Sequence, residues 1–301
     1  MSKEHDSKYD DDDFGNRRWQ TIALEEVEIG ERIGGGGVGV VHTGWYRDER
    51  VALKTLFDPR VDEKLKQEFL DELHVMSKMD HPNIVHFLGA CLEAPDLFFV
   101  MELCTSSLFD MIHRQRYRFD DKEKIAMAID IAKAMQYLHN SEPCIIHRDL
   151  KSMNLLMSQD GVLKLCDFGL VKTRNTTAGT PCYMAPELLA NKAFNKKVDV
   201  YAFAVLLWEI MEEAIPFSQC EPQEIMKVVG AGERPPLGNW YSPELRQLIQ
   251  QCWADDPAER PDFDEIFDTL TIIDSAMPAR SNCDQLGDDF GGDALDSLLG
   301  K

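Results

Sequence analysis

The stretch His147-Arg148-Asp149-Leu150-Lys151-Ser152-Met153-Asn154, followed thirteen residues later by Asp167-Phe168-Gly169, decides how this chain of 301 residues is read. Moving a phosphoryl group from a nucleotide to a hydroxyl requires one carboxylate facing the hydroxyl and further oxygen groups holding magnesium. Asp149 fits the first task, and Asn154 with Asp167 fits the second. Either motif alone arises by chance; the ordered set is far harder to dismiss.

Outward from this stretch the chain divides into two unlike parts. Toward the N-terminus, Val27-Glu28-Ile29, Val38 to Trp45 and Val51 to Leu56 read as strands separated by glycines and charged turns. From Asp62 to Met79 the period changes, with Leu65, Phe69, Leu73 and Met76 at helical spacing. Strands are expected again at 84–92 and 97–103. Helices then dominate, at 122–140, 198–211, 221–230, 243–253 and 263–274. The expected fold class is α+β: a small strand-rich lobe followed by a larger helical one. Expected boundaries are an acidic, disordered tail at 1–18, one lobe at 19–104, the other at 105–274, and an acidic, Gly-rich tail at 275–301. No repeat of fixed period is evident.

Apolar residues make up 44% of the chain, enough for two cores sharing a cleft. The net charge is -21; residues 1–13 and residues 274–301 contribute -4 each, leaving -13 on the body between them. So acidic a body argues against wrapping nucleic acid or adsorbing to anionic lipid. A bound nucleotide remains compatible, because a metal ion and a few local donors neutralise its phosphates. The eight cysteines are scattered without a Cys-x-x-Cys pair, and no secretory signal is visible, so reduced thiols in a cytoplasmic setting are expected. The longest apolar run, Val200 to Trp208, is far short of the roughly 20 residues needed to span a bilayer, so no membrane insertion is expected.

Ile33-Gly34-Gly35-Gly36-Gly37-Val38-Gly39-Val40-Val41 fits Gly-x-Gly-x-x-Gly-x-Val between two strands. Glycine lets a backbone approach phosphates closely, and its amides then donate to them. A flexible turn is the ordinary alternative, and the run alone does not choose. What favours the phosphate loop is Val51-Ala52-Leu53-Lys54, twelve to fifteen residues past Gly39. Lys54 is either an edge-strand lysine in solvent or a buried cation needing a partner. Glu72 and Glu68 lie one turn apart on the same side of the 62–79 helix, and periodicity does not separate them; Asp71 reads as solvated.

With Ala185-Pro186-Glu187, Asp199 and Arg260 completing the series, the chain resembles the eukaryotic protein kinases over about residues 27–274. The resemblance implies a bilobal kinase fold, with ATP and magnesium as cofactors, manganese being the alternative ion, and a protein as substrate. It implies that Lys54 holds nucleotide phosphates and pairs with Glu72, and that Asp149 takes the substrate hydroxyl's proton. Asn154 and Asp167 would bind the metal, Lys151 would contact the transferred phosphate, and Thr180 would bond Asp149 and Lys151. Ile33, Gly34, Gly35, Gly36, Gly37, Val38 and Gly39 would cover the nucleotide. Val41, Ala52 and Leu156 would sandwich adenine, and behind Met101 the backbone of Glu102 and Cys104 would bond it. Met76, Phe87, His147 and Phe168 would stack as a column joining the lobes, with Asp199 anchoring its base and Glu187 pairing with Arg260. For the apolar positions this differs little from core packing.

Lys151 and Gly179-Thr180-Pro181-Cys182-Tyr183-Met184 resemble serine/threonine kinases, whereas Cys252-Trp253 through Phe263 and Asp199-Val200-Tyr201-Ala202-Phe203 resemble tyrosine and tyrosine-kinase-like enzymes. The mixture implies a tyrosine-kinase-like enzyme of serine/threonine specificity, similar to the Raf and mixed-lineage kinases. Many of these act on MAP kinase kinases, so another kinase is among the candidate substrates; oligomeric state is left open. Val38 at the loop tip, the extra glycines Gly35 and Gly37, and Ala204 after Phe203 depart from the family pattern without removing a catalytic group. Arg148 beside Asp149 suggests a switch in which phosphorylated Thr176 or Thr177 supplies the anion; solvated loop threonines are the alternative. Three other classes compete with a serine/threonine kinase. A pseudokinase scaffold would normally have lost Lys54, Asp149, Asn154 or Asp167, a dual-specificity kinase keeps them all, and the segment from Thr180 to Glu187 argues against a small-molecule kinase.

Overall fold

The computed structural model describes residues 20–35, 39–56, 63–92, 97–168 and 180–278. Its first part is a six-stranded sheet flanked by one helix. The strands are β1 (Gln20–Thr21), β2 (Val27–Gly35), β3 (Gly39–Tyr46), β4 (Glu49–Leu56), β5 (Phe87–Cys91) and β6 (Phe98–Glu102), and helix α1 (Glu63–Met76) falls between β4 and β5. The sheet order is β1-β5-β6-β4-β3-β2, antiparallel throughout except for the parallel β1–β5 edge.

Local chemistry accounts for this arrangement. Tyr46 pairs with Glu49, so β3 and β4 are joined by the two residues Arg47 and Asp48. Both take positive φ, as a tight hairpin turn following strand twist requires. Gly44 sits where a Cβ would lie 2.5 Å from the carbonyl oxygen of Glu28 on the neighbouring strand, so only glycine lets β2 close onto β3. The unbroken apolar run in β4 reflects burial on both faces. Val51 and Leu53 pack with Ile22, Tyr46, Cys91, Phe98 and Val100 on one side, and Ala52 joins the main core with Phe69, Leu73 and Met76 of α1 on the other.

The second part is mostly helical. It contains β7 (Ser106–Ser107), α2 (Asp121–His139), β8 (Leu155–Met157), β9 (Leu163–Leu165), α3 (Pro186–Leu189), α4 (Lys197–Glu212), α5 (Pro222–Gly230), α6 (Pro243–Cys252) and α7 (Phe263–Ala276). A π-helical turn, Asp110–Arg114, precedes α2. Asp120 caps α2 by accepting from the Glu123 amide, and Glu123 returns the bond to the Asp120 amide, which fixes where the helix starts. Helix α4 is buried on every side from Val198 to Met211, so α2, α6 and the turn at 181–183 pack around it.

Two expectations change. The helix over 62–79 stops at Met76, and the strand over 84–92 is shorter because Val85 donates to Leu165 and Leu165 to Asn83, at 3.0 and 2.9 Å. That segment is bonded to β9 of the other lobe instead of to its own sheet. The three-stranded sheet β7-β8-β9 was not expected from the sequence.

Candidate active site

The loop between α2 and β8 carries Asp149, and α4 holds its front end. Asp199 is fully buried, and its two carboxylate oxygens accept from the amides of His147 and Arg148 at 2.9 and 2.8 Å. His139 adds a third bond at 2.8 Å. Arg148 is thereby held at a φ of 65°. The next residues turn outward, and the 3-10 turn Ser152–Asn154 leads into β8.

Within this loop the Asp149 carboxylate lies 2.6 Å from Lys151 Nζ and 3.1 Å from Asn154 Nδ2, which also donates to the Asp149 carbonyl at 2.8 Å. Two donors thus fix one carboxylate oxygen. Committing Nδ2 to Asp149 leaves the Asn154 amide oxygen as the acceptor end of that side chain. Asp167 follows β9 with a φ of 64° and an exposed side chain. A carboxylate and an amide oxygen are hard donors of the kind magnesium takes, alongside substrate phosphates and water.

Across the cleft, Lys54 Nζ lies 2.5 and 2.6 Å from the two oxygens of Glu72, which is buried. Burial pulls the Lys54 pKa down, but the charges of Glu72 and Asp167 outweigh it and raise the net value, so the ammonium persists. Burial and the Asp167 charge push Glu72 upward against the pull of Lys54. Asp167 therefore acts electrostatically on both members of the pair. The side chain of Glu68 lies outside the described set.

A family profile described as protein tyrosine and serine/threonine kinase matches residues 27–270. The chain belongs to that family. It is 39% identical over 273 residues to probable serine/threonine-protein kinase SIS8 of Arabidopsis thaliana, covering 88% of this chain and 26% of the relative. It is 38% identical to serine/threonine-protein kinase CTR1 of the same plant, covering 86% and 33%. Probable serine/threonine-protein kinase drkD of Dictyostelium discoideum is 38% identical, covering 83% and 20%. The chain thus spans a third or less of the length of these curated relatives. The tyrosine-kinase-like placement agrees with a profile joining both specificities and with relatives named serine/threonine kinases.

The residues expected around the nucleotide lie on or beside β2, β3, β4, β6 and β8. Ala52 and Met101, paired across β4 and β6, lie in the main apolar core, and Val41 and Leu156 pack against that core. Met76, Phe87 and Phe168 belong to the same cluster, and His147 meets Phe168 edge-on at 5.4 Å between ring centres. The Glu102 amide already donates to the His86 carbonyl at 3.0 Å. Its side chain accepts from the His86 amide at 2.6 Å and from Lys164 at 2.8 Å. Ile33, Gly34 and Gly35 end β2 and Gly39 begins β3; Gly36, Gly37 and Val38 lie outside the described residues.

Thr180 lines a small pocket with Asp149, Leu150, Tyr183 and Met184. Asp149 and Lys151 bond each other directly. Asp71 is not simply solvated, since it accepts from Gln67 at 3.1 Å. Glu187 and Arg260 form a bidentate pair at 2.6 and 3.0 Å, and Arg260 is almost wholly buried. Thr176 and Thr177 lie outside the described residues. Sequence reasoning missed Glu209, Tyr183, Ser152 and His113, which meet beneath the loop. Their one visible signal is an acid inside the apolar run of α4.

Proposed function

We propose that this chain is an ATP- and magnesium-dependent protein serine/threonine kinase that transfers the γ-phosphoryl group to Ser or Thr hydroxyls of proteins in intracellular signalling. Support comes chiefly from the Asp149 carboxylate, fixed between Lys151 and Asn154, together with the buried Lys54–Glu72 pair on which the Asp167 charge acts. A carboxylate held so is poised to accept a hydroxyl proton as the oxygen bonds to phosphorus and the bond to the leaving diphosphate breaks. Lys151 neutralises charge on the moving group, and Lys54, kept charged by Glu72, orients the phosphates. Asn154 and Asp167 would hold magnesium, which supplies charge neutralisation on the phosphate oxygens.

The named serine/threonine relatives and the sequence from Gly179 to Met184 favour Ser/Thr over Tyr. No helix among the described residues is long and apolar enough to cross a membrane, which is compatible with a cytoplasmic setting. The resemblance to Raf and mixed-lineage kinases extends the proposal to another kinase as substrate. Phosphorylation of Thr176 or Thr177 as the activating step belongs to the same proposal.

The test is to incubate the purified chain and Asp149→Asn with labelled ATP, magnesium and a mixed protein pool. Transfer by the wild type, lost in the variant and found on phosphoserine or phosphothreonine, is expected. Equal labelling by both proteins refutes catalysis at this site. Undiminished activity in the Thr176→Ala/Thr177→Ala double variant removes the switch.

A further inference from the structure

Residues 20–24 precede the span 27–270 that matches the kinase family, yet they are built into the small lobe. Gln20 and Thr21 pair in parallel with Gly89 and Ala90 along the outer side of β5, and the Ile22 amide donates to the Ala90 carbonyl at 3.0 Å. Ile22 is wholly excluded from solvent. Its side chain enters the apolar outer face of the sheet with Tyr46, Leu53, Cys91, Phe98 and Val100, and Leu24 packs on the same cluster. This cluster is separate from the main core that contains Phe69 and Leu73 of α1. One short segment is therefore held in two ways, by a strand edge and by an isoleucine in a socket.

Gly89 is fitted to that segment. A Cβ at this position would lie 2.3 Å from the Gln20 carbonyl oxygen and 2.7 and 2.9 Å from side-chain atoms of Ile22. The first of these is backbone and does not yield, so docking requires a residue without a side chain. An uncovered strand edge invites pairing with other chains, and β1 occupies the one that β5 would otherwise present.

The docked segment stands in register with the nucleotide side of the cleft. Thr21 pairs with Ala90, Ala90 with Phe99, Phe99 with Lys54 and Lys54 with Val41, one row across five strands. The Lys54 ammonium also lies 5.6 Å from the centre of the Phe99 ring. Neighbouring strands are about 4.8 Å apart, so Thr21 lies about 14 Å from Lys54 along this row. The outermost strand thus closes the same sheet whose inner strands carry Lys54 and Val41.

We infer that residues 20–24 are a strap whose docking surface is the β5 edge and the outer apolar face of the small sheet, and that the docked strap steadies the row bearing Lys54 and with it nucleotide affinity. The nucleotide part rests on the kinase function proposed above; the docking does not. Because Asp149 and Thr180 belong to the other lobe, the strap should act on the nucleotide and spare the protein substrate.

The experiment compares the full chain as wild type, Ile22→Ser, Gly89→Ala and the double variant. In Gly89→Ala the Ile22 amide should exchange its hydrogen at least about tenfold faster, although the substitution lies on β5. Titration with ATP and magnesium, followed by binding and not by transfer, should give a Kd about fivefold higher in each single variant, with KM for protein substrate within about twofold. The double variant should bind no worse than the weaker single one, because both substitutions remove one shared contact. Unchanged exchange at Ile22 in Gly89→Ala overturns the strap. Faster exchange with an unchanged Kd overturns its link to the nucleotide, and fully additive losses in the double variant do the same by separating the two sites. A strap-dependent Kd in a chain that transfers no phosphate would instead refute the kinase proposal and leave the strap standing.

Discussion

Lys54 and Glu72 illustrate how a single buried pair depends on its second member. Removing the acid leaves an ammonium in a low-dielectric site balanced by the more exposed Asp167 instead, which costs far more than the net worth of the pair. Glu72→Gln should lower kcat/KM for ATP about a hundredfold, about 2.7 kcal/mol of transition-state stabilisation, with the fold retained in circular dichroism. The thiols around the cleft behave oppositely to reactive ones. Burial and the Glu102 charge push Cys104 up to about 12, and burial with the Glu209 charge does the same for Cys182. At pH 8 each is thiolate to only about one part in ten thousand. Mass spectrometry after brief iodoacetamide treatment at pH 8 should therefore find both unmodified; rapid alkylation of either would contradict the geometry.

Among elements, the junction of α2 and α4 shows how an acid makes a helix end pH-sensitive. Glu213 follows α4 with a φ of 50°, and it bonds Arg118, Lys124 and the Phe119 amide. Burial pulls its pKa up, but these bonds prevail and hold it below the ordinary glutamate value. A lowered folded pKa contributes stability that is complete above the ordinary value and is lost as pH falls through the folded one. The melting temperature of wild type should thus exceed that of Glu213→Gln at pH 6, and the difference should shrink below about pH 4. The long elements were legible because their periods repeat: α2, α4 and α7 lie within two residues of expectation. Ser106–Ser107, Leu155–Met157 and Leu163–Leu165 were not, because two or three residues contain no period to read. The same contrast holds in the candidate site. Asp149, Lys151 and Asn154 are near neighbours whose spacing signals them, whereas periodicity left Glu68 and Glu72 level and the family resemblance made that choice. The partners of Glu209 lie 26, 57 and 96 residues away, beyond any local pattern.

At the scale of the whole molecule, charge burial and lobe contact set the limits. Arg260 bonds Glu187 twice, donates to the carbonyls of Ala254 and Lys197, and stacks on Tyr201 at 5.3 Å. Arg260→Met would strand Glu187 beneath α3 and should cost about 3–5 kcal/mol in chemical denaturation, with a lower midpoint and an unchanged slope. The backbone bonds from residues 83–85 to β9 have another consequence. A polypeptide divided after Cys104 would tear a ladder whose rungs belong to both sides, leaving raw amides and carbonyls on each fragment. Neither half is an autonomous module, so dissection at 104 should yield two pieces that recover their structure only when mixed.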